Sequence, residues 1–268
     1  MSTLLSSAKN VASVRAGDKS KAYTKVFLNV KTTGIEKDSE IIQLSFMLKG
    51  KQDGVYDEYY RPKNGLSFEA MGKNRITPEM LEGKQSIDEH TISLEKLKAL
   101  NTKDNILIMH NARYYLGVLE KANFYNKMSV IDTLHVAKHL LKDAESNTLY
   151  SLFFEYGLYK KLGQMERTFN RNYSVSLKRL GAYSALYDVV ALKLLFELLI
   201  KKAGNMRTLI ALSQTPLFIT EPLRFGKYKG KTPNEIARID KGYLIWMLEN
   251  IEHIDWNLKH TFKILVEK

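Results

Sequence analysis

The sequence predicts an α/β protein: a mixed β-sheet flanked by helices, followed by a small basic α+β module. Three observations predict it. Short β-branched and aromatic runs come first, joined by brief turns; strands then alternate with helical periods; and near Thr215-Pro216 the pattern gives way to a compact basic segment. At 268 residues the chain has room for one large domain and an appendage. The expected division is an N-terminal arm over residues 1–24, the main domain over 25–212 and the module over 213–268.

The N-terminal stretch is rich in Ser, Ala and Lys, with no acid before Asp18, and reads as a flexible arm. Leu4, Leu5, Ala8, Val11 and Ala12 share one helical face, so a short amphipathic helix or a transit-like leader are the alternatives. Val26 to Val30, Ile41 to Leu48 and Val55 to Tyr60 read as strands, with turn-prone Gly34 to Asp38 and Gly50 to Gly54 between them, the pattern of an antiparallel meander. Thr77-Pro78-Glu79-Met80 reads as a helix start with Thr as N-cap and Pro at the first helical position. Asn105 to Met109 is a short buried strand, Arg113 to Asn123 a helix, and Ser129 to Leu141 a further strand and helix. Asn147 to Tyr156 is helical, whereas polar Gly163 to Ser176 reads as a loop. The clearest helix runs from Tyr183 to Lys202, with Leu186, Val189, Val190, Leu194 and Leu198 apolar and a Lys-Lys-Ala-Gly ending.

Composition narrows the chemistry. There is no Cys, which excludes thiol catalysis, thiolate-held zinc and disulfides and fits a reducing, cytoplasmic setting. No apolar run approaches the ~20 residues needed to span a bilayer, so no membrane partner is expected. Against 29 Asp+Glu stand 41 Lys+Arg, a formal charge of +12 that favours a polyanionic partner, nucleic acid being the commonest; a Lys-rich proteome is the bland alternative.

Five segments carry a resemblance: Phe27-Leu28-Asn29-Val30-Lys31-Thr32-Thr33-Gly34, Glu40-Ile41-Ile42-Gln43-Leu44, Ile76-Thr77-Pro78-Glu79-Met80-Leu81, His110-Asn111-Ala112-Arg113 and Ala185-Leu186-Tyr187-Asp188. In order and spacing, from about Lys25 to Lys202, they resemble the DnaQ-like (DEDDh-type) 3′-5′ exonucleases of the RNase H-like superfamily. The resemblance implies an RNase H-like fold and, in the family, acids that hold two Mg or Mn ions to cleave phosphodiesters.

The matching positions depart from that pattern. The family's Asp-x-Glu becomes Asn29-x-Lys31, two residues on one face of a strand. Tyr115 stands where the third acid is expected, Tyr183 where the family has its general-base His, and Asp188 alone is retained. Lys has no acceptor atom while protonated, and a neutral phenol is a poor ligand for a hard cation. The expectation is therefore that metal binding and catalysis are lost and no cofactor is held. An ion pair between Lys31 and Asp188 is one reading of the altered pair; direct contact of the Lys31 ammonium with phosphate is another. Asn29 is open to satisfying backbone groups, Tyr115 to packing on the core, Tyr183 to capping or packing at a helix start, and His110 to packing in a loop. Arg113 and Tyr114 would be secondary nucleic-acid contacts.

Leu223-Arg224-Phe225-Gly226-Lys227-Tyr228-Lys229-Gly230-Lys231-Thr232 resembles a small module with a Phe-Gly-Lys-x-Lys-Gly signature often appended to such exonucleases. Alternation would place Lys227, Lys229 and Lys231 on one face of an extended segment that leads into a capping box at Thr232, Pro233 and Glu235, a phosphate-receiving arrangement or simply a solvated basic hairpin. Trp246 is either core or an exposed stacking face. The function expected is a catalytically inactive exonuclease homologue that binds single-stranded nucleic acid, a nucleic-acid end, or a replication, repair or RNA-processing complex. The competing expectations are an active exonuclease with an atypical metal site and a pure protein-interaction scaffold.

Overall fold

A computed structural model describes residues 23–36, 38–89, 91–181 and 183–267; the arm expected over residues 1–24 lies outside them apart from its last two residues. The chain divides into two compact units between Ser213 and Gln214.

The first unit is built on a five-stranded sheet of order β3-β2-β1-β4-β5. Strands β1 (Thr24–Thr32), β2 (Ile41–Gly50) and β3 (Gly54–Tyr59) form the antiparallel meander. β4 and β5 add in parallel beyond β1, so the sheet is mixed. Helices α1 (Phe68–Asn74), α2 (Pro78–Leu81) and α3 (Ile92–Leu100) follow β3, then β4 (Ile106–Met109), α4 (Ala112–Lys121), β5 (Ser129–Asp132) and α5 (Thr133–Leu140). Next come α6 (Leu149–Glu155), a 3-10 turn (Leu158–Lys161), α7 (Leu162–Tyr173), α8 (Leu177–Leu180), the long α9 (Ala185–Ala203) and α10 (Met206–Gln214).

Strand periodicity divides the core into two layers. Val26, Leu28 and Val30 join Leu44, Phe46 and Leu107 on one face, against α3 and α4. Phe27 faces the other way with Met47, Ile108 and Ile131, and packs edge-on against Phe196 of α9, ring centroids 5.2 Å apart. Asn29 and Lys31 share the face of Phe27, so the same alternation that buries Phe27 against α9 delivers them to that helix's N-terminal end. The β1–β2 register slips between Lys31 and Thr32, and Ile42 leaves the main sheet core for a small cluster with Ile76 and Leu81.

One expected loop is a helix. Residues from Gly163 to Tyr173 lie in α7, which buries only Met165 and Phe169, one turn apart; two anchors suffice to seat an otherwise polar helix. No helix among the described residues is long and apolar enough to cross a membrane.

The second unit is helical: α11 (Pro233–Ile239), α12 (Lys241–Asn250) and α13 (Trp256–Glu267) enclose Leu223, Ile236, Leu244, Met247, Phe262 and Leu265. Thr232 and Glu235 form the expected capping box. The expected β component is absent among the described residues. The basic segment is a looped turn rather than an extended strand, closed by the Leu223 N–H on the Lys231 carbonyl (2.9 Å) and the Gly230 N–H on the Leu223 carbonyl (2.8 Å). Gly226 (φ 77°) and Gly230 (φ 90°) reverse the chain in a conformation open to glycine, so Lys227, Lys229 and Lys231 do not alternate on a strand face.

Candidate functional site

The retained acid sits where α9 begins. Ser184 caps that helix by accepting from the Tyr187 N–H (3.2 Å), and the Ala185 N–H donates to Gln43 Oε1 on β2 (2.9 Å). Gln43 is the β2 partner of Lys31, and its amide also donates to Asp57 Oδ1 (2.8 Å). Asp57 is a half-buried acid on β3 that also accepts from the Ser45 hydroxyl; desolvation raises its pKa against those two donors. These bonds lock the helix start onto the sheet.

That geometry brings Asp188 to Lys31. The ammonium Nζ lies 2.6 Å from Asp188 Oδ2, with the two side chains 11% and 8% exposed. The other carboxylate oxygen, Oδ1, accepts from the Tyr150 hydroxyl at 2.5 Å. Tyr150 Oη in turn accepts the Tyr183 N–H (3.1 Å), and burial and Asp188 both raise the Tyr150 pKa, so the phenol stays a donor. The ammonium is thus engaged, which leaves little of it for the phosphate contact expected of Lys31. Asn29 is buried, and its Oδ1 has no hydrogen-bond partner among the described residues, so that oxygen satisfies no backbone group.

Tyr115 packs on the inner layer from α4 and joins Lys31 in lining a cleft of about 400 Å³. Burial pushes its pKa up to about 12, and nearby Asp188 and Tyr114 add to the shift. Tyr114 lines the same cleft and donates its hydroxyl to the Gly34 carbonyl (3.1 Å), while Arg113 is exposed on the same helix. Tyr183 is 45% exposed, adopts φ 79°, and presents its ring to Tyr150 (5.3 Å) and to the Arg75 guanidinium (5.8 Å).

His110 packs at the end of β4. Its Nε2 faces the Asn147 carbonyl (3.0 Å) and its Nδ1 the Thr133 hydroxyl (2.9 Å), which itself donates to the Met109 carbonyl (3.1 Å). Crowding by protein lowers its pKa to about 4 although the residue as a whole is only half-buried. Next to it, Asp132 accepts from the Asn111 and Ala112 N–H groups (3.0 and 2.9 Å) at the start of α4, and from Leu134 (3.0 Å) at the start of α5.

Glu40, one of the acids near the first turn, accepts from the Lys63 and Asn64 N–H groups, both at 2.9 Å, and Glu36 and Asp38 line the cleft. Among the described residues no three His, Asp or Glu side chains are grouped to hold a metal ion. Tyr150, Gln43 and Asp57 complete the site without having been singled out by motif; Gln43 lies within the resembling Glu40-to-Leu44 segment, whereas Tyr150 carries no local signal.

In the second unit Lys227 Nζ pairs with Asp240 (3.0 Å), which also accepts from the Tyr228 hydroxyl (2.7 Å), while Lys229 and Lys231 are exposed.

Comparison with known proteins agrees with this architecture. A family model described as Exonuclease matches residues 27–161, and one described as Exodeoxyribonuclease X-like C-terminal matches residues 223–252. Exodeoxyribonuclease 10 of Escherichia coli (strain K12) is 24% identical over 244 residues, spanning 90% of this chain and 97% of the relative. The PolC-type DNA polymerase III of Thermotoga maritima is 34% identical over 145 residues, half of this chain and 10% of the polymerase. Among solved structures, exonuclease X in complex with 5′ overhanging duplex DNA superposes with a TM-score of 0.51 at 18% identity, covering 71% of this chain and 99% of that one, a likeness of fold.

Proposed function

From the premise that this chain belongs to the DnaQ-like exonuclease family, we propose that it is a non-cleaving member that binds single-stranded nucleic acid or a nucleic-acid end. The observation that carries the reading is the state of Asp188: one oxygen is taken by the Lys31 ammonium and the other by the Tyr150 hydroxyl. A carboxylate that bridges divalent ions needs those lone pairs free, and a cation displacing Lys31 would enter beside an unscreened ammonium. At an effective dielectric near 20, two unit charges at ~4 Å interact by about 4 kcal/mol, a repulsion repeated for each charge on the ion. The rest of the donor set suits a divalent pair no better. Asn29 offers an amide, Tyr115 a phenol held protonated, and Tyr183 a phenol where the family has an imidazole.

Lys31 therefore does internally what the family assigns to metal: it neutralises the acid at the head of α9. Binding is supported by the +12 formal charge and by the relatives, one of which was solved on DNA. Phosphate contact falls to exposed Arg113, which precedes the cleft-lining Tyr114 on α4.

The test is a Mg²⁺ and Mn²⁺ titration with end-labelled single-stranded DNA and RNA, run alongside binding measured over a range of salt. The expected result is binding that weakens steeply with salt, because phosphate contacts release counterions, and no metal-dependent nucleotide release. Nucleotide release that disappears in Asp188→Ala would overturn the reading in favour of an active enzyme. The absence of any saturable, salt-sensitive binding would leave a protein-interaction scaffold.

A further inference from the structure

Half of the indole of Trp246 lies in solvent on a unit whose core is complete without it. We infer that the helical C-terminal unit is itself a contact for single-stranded nucleic acid, with Trp246 and Phe225 as stacking faces for bases and Arg224, Lys229 and Lys231 as partners for phosphates. The inference rests on the reading that this chain binds nucleic acid and places part of that binding outside the cleft.

Leu244 and Met247 are the residues α12 buries, whereas Trp246 is 51% exposed. Its inner face is not loose. It stacks on Tyr243 at 5.8 Å and 17°, and Tyr243 meets Tyr228 edge-on at 5.1 Å. The Tyr243 hydroxyl accepts the Lys227 N–H (3.1 Å), and a Cβ at Gly226 would come within 2.4 Å of it, so the glycine lets the basic loop sit directly on this ring. A braced aromatic ladder thus runs from the loop to a free indole face.

The loop supplies the complementary charge. From Pro222 to Asn234 there is no acid, and Arg224, Lys229 and Lys231 are exposed. Lys227 is the exception, held by Asp240 with its ammonium 4.8 Å from the Tyr228 ring centre, where it braces the loop. Phe225, 44% exposed, adds a second apolar face on the loop itself. Rigid aromatic faces beside cations that follow a backbone are how proteins hold single strands with little sequence preference. An acid-free loop favours a polyanion over a protein surface of mixed charge.

The test uses the full chain with Trp256→Phe, so that Trp246 is the sole indole, titrated with oligothymidylate while a labelled copy reports anisotropy. Saturable quenching of Trp246 emission is expected. Trp246→Ala should weaken binding roughly tenfold, or ~1.4 kcal/mol, and Trp246→Phe should recover most of it. Lys229→Ala with Lys231→Ala should lower the salt slope by roughly one to two. Anisotropy that saturates while Trp246 emission stays constant and Trp246→Ala binds normally would overturn this inference and leave the cleft reading standing. No anisotropy change in the parent would overturn both, and quenching by an acidic peptide but not by oligothymidylate would replace the nucleic acid with a protein partner.

Discussion

Replacing Asp188 with Ala strands the Lys31 ammonium in a site where only 11% of its side chain reaches solvent. At the observed 2.6 Å, two unit charges attract by about 6 kcal/mol at an effective dielectric near 20, and dehydrating each ion costs several kcal/mol in return. The intact pair therefore contributes little net stability, but either ion left alone keeps its dehydration cost. Asp188→Ala should cost about 3–5 kcal/mol. Lys31→Met should cost less, about 2–3 kcal/mol, because the Tyr150 hydroxyl still donates to the remaining carboxylate. The double variant Lys31→Met with Asp188→Ala removes both charges and should be more stable than the sum of the singles by ~2–3 kcal/mol. Urea unfolding followed by far-UV circular dichroism measures this, with the whole sheet and most of the helices in the first unit. Both tryptophans, Trp246 and Trp256, lie in the second unit, so their emission follows that unit separately. Single substitutions that each cost under ~1 kcal/mol and add without coupling would refute the reasoning, since the pair would then be screened like a surface one.

Asn29→Asp, Lys31→Glu and Tyr115→Asp together restore the acids of the family pattern; calorimetry should then show Mn²⁺ uptake by the triple variant at concentrations where the parent takes up none, and equal uptake by the parent would contradict the account of the site. Burial keeps His110 neutral down to about pH 4 against an ordinary 6.5. Between those values the unfolded chain binds a proton that the folded chain does not, so this contribution is whole above about pH 6.5 and is lost as pH falls toward 4. It amounts to on the order of 2–3 kcal/mol, the lower figure allowing for the residue's partial exposure. His110→Gln should flatten that slope relative to the parent, and an unchanged slope would refute the assignment. Gly226→Ala puts a Cβ against the Tyr243 hydroxyl at φ 77° and should destabilise the second unit by about 1–3 kcal/mol, seen in tryptophan emission, and an unchanged midpoint would refute the packing of the loop on that ring.

The sheet is legible because its strands are dense in β-branched and aromatic residues and bounded by turn residues, and because each expected run lies within or beside an observed strand. The altered site is legible because Asn29, Lys31, Tyr115, Tyr183 and Asp188 sit in segments whose surroundings keep the family pattern. The Lys31–Asp188 bond follows once both residues are placed on facing elements. Tyr150 is different: it lies in a helix far along the chain and reaches Asp188 only through the packing of α6 against α9. Helix α7 hides because most of its residues are polar, and α1 because it buries Ala70 alone while Phe68 is 89% exposed. Helix α3, with Leu94, Leu97 and Leu100 buried, carries a three-residue period that could be read without a structure. The basic loop misleads for a local reason. Lysines two apart suggest a strand, but the intervening glycines take positive φ and turn the chain.

Asp132 gives the architecture a lesson about acids. One carboxylate ties off the first turns of two helices, and the first of them presents Tyr114 and Tyr115 to the cleft. Swapping it for a neutral residue would loosen both helices at a stroke, whatever the chain does to its ligands. Substitution takes no bond from the Asn29 oxygen, which has no partner, and several from Asp132, which works as masonry. Asp132 is thus carpentry: one carboxylate seats two helices beside the cleft.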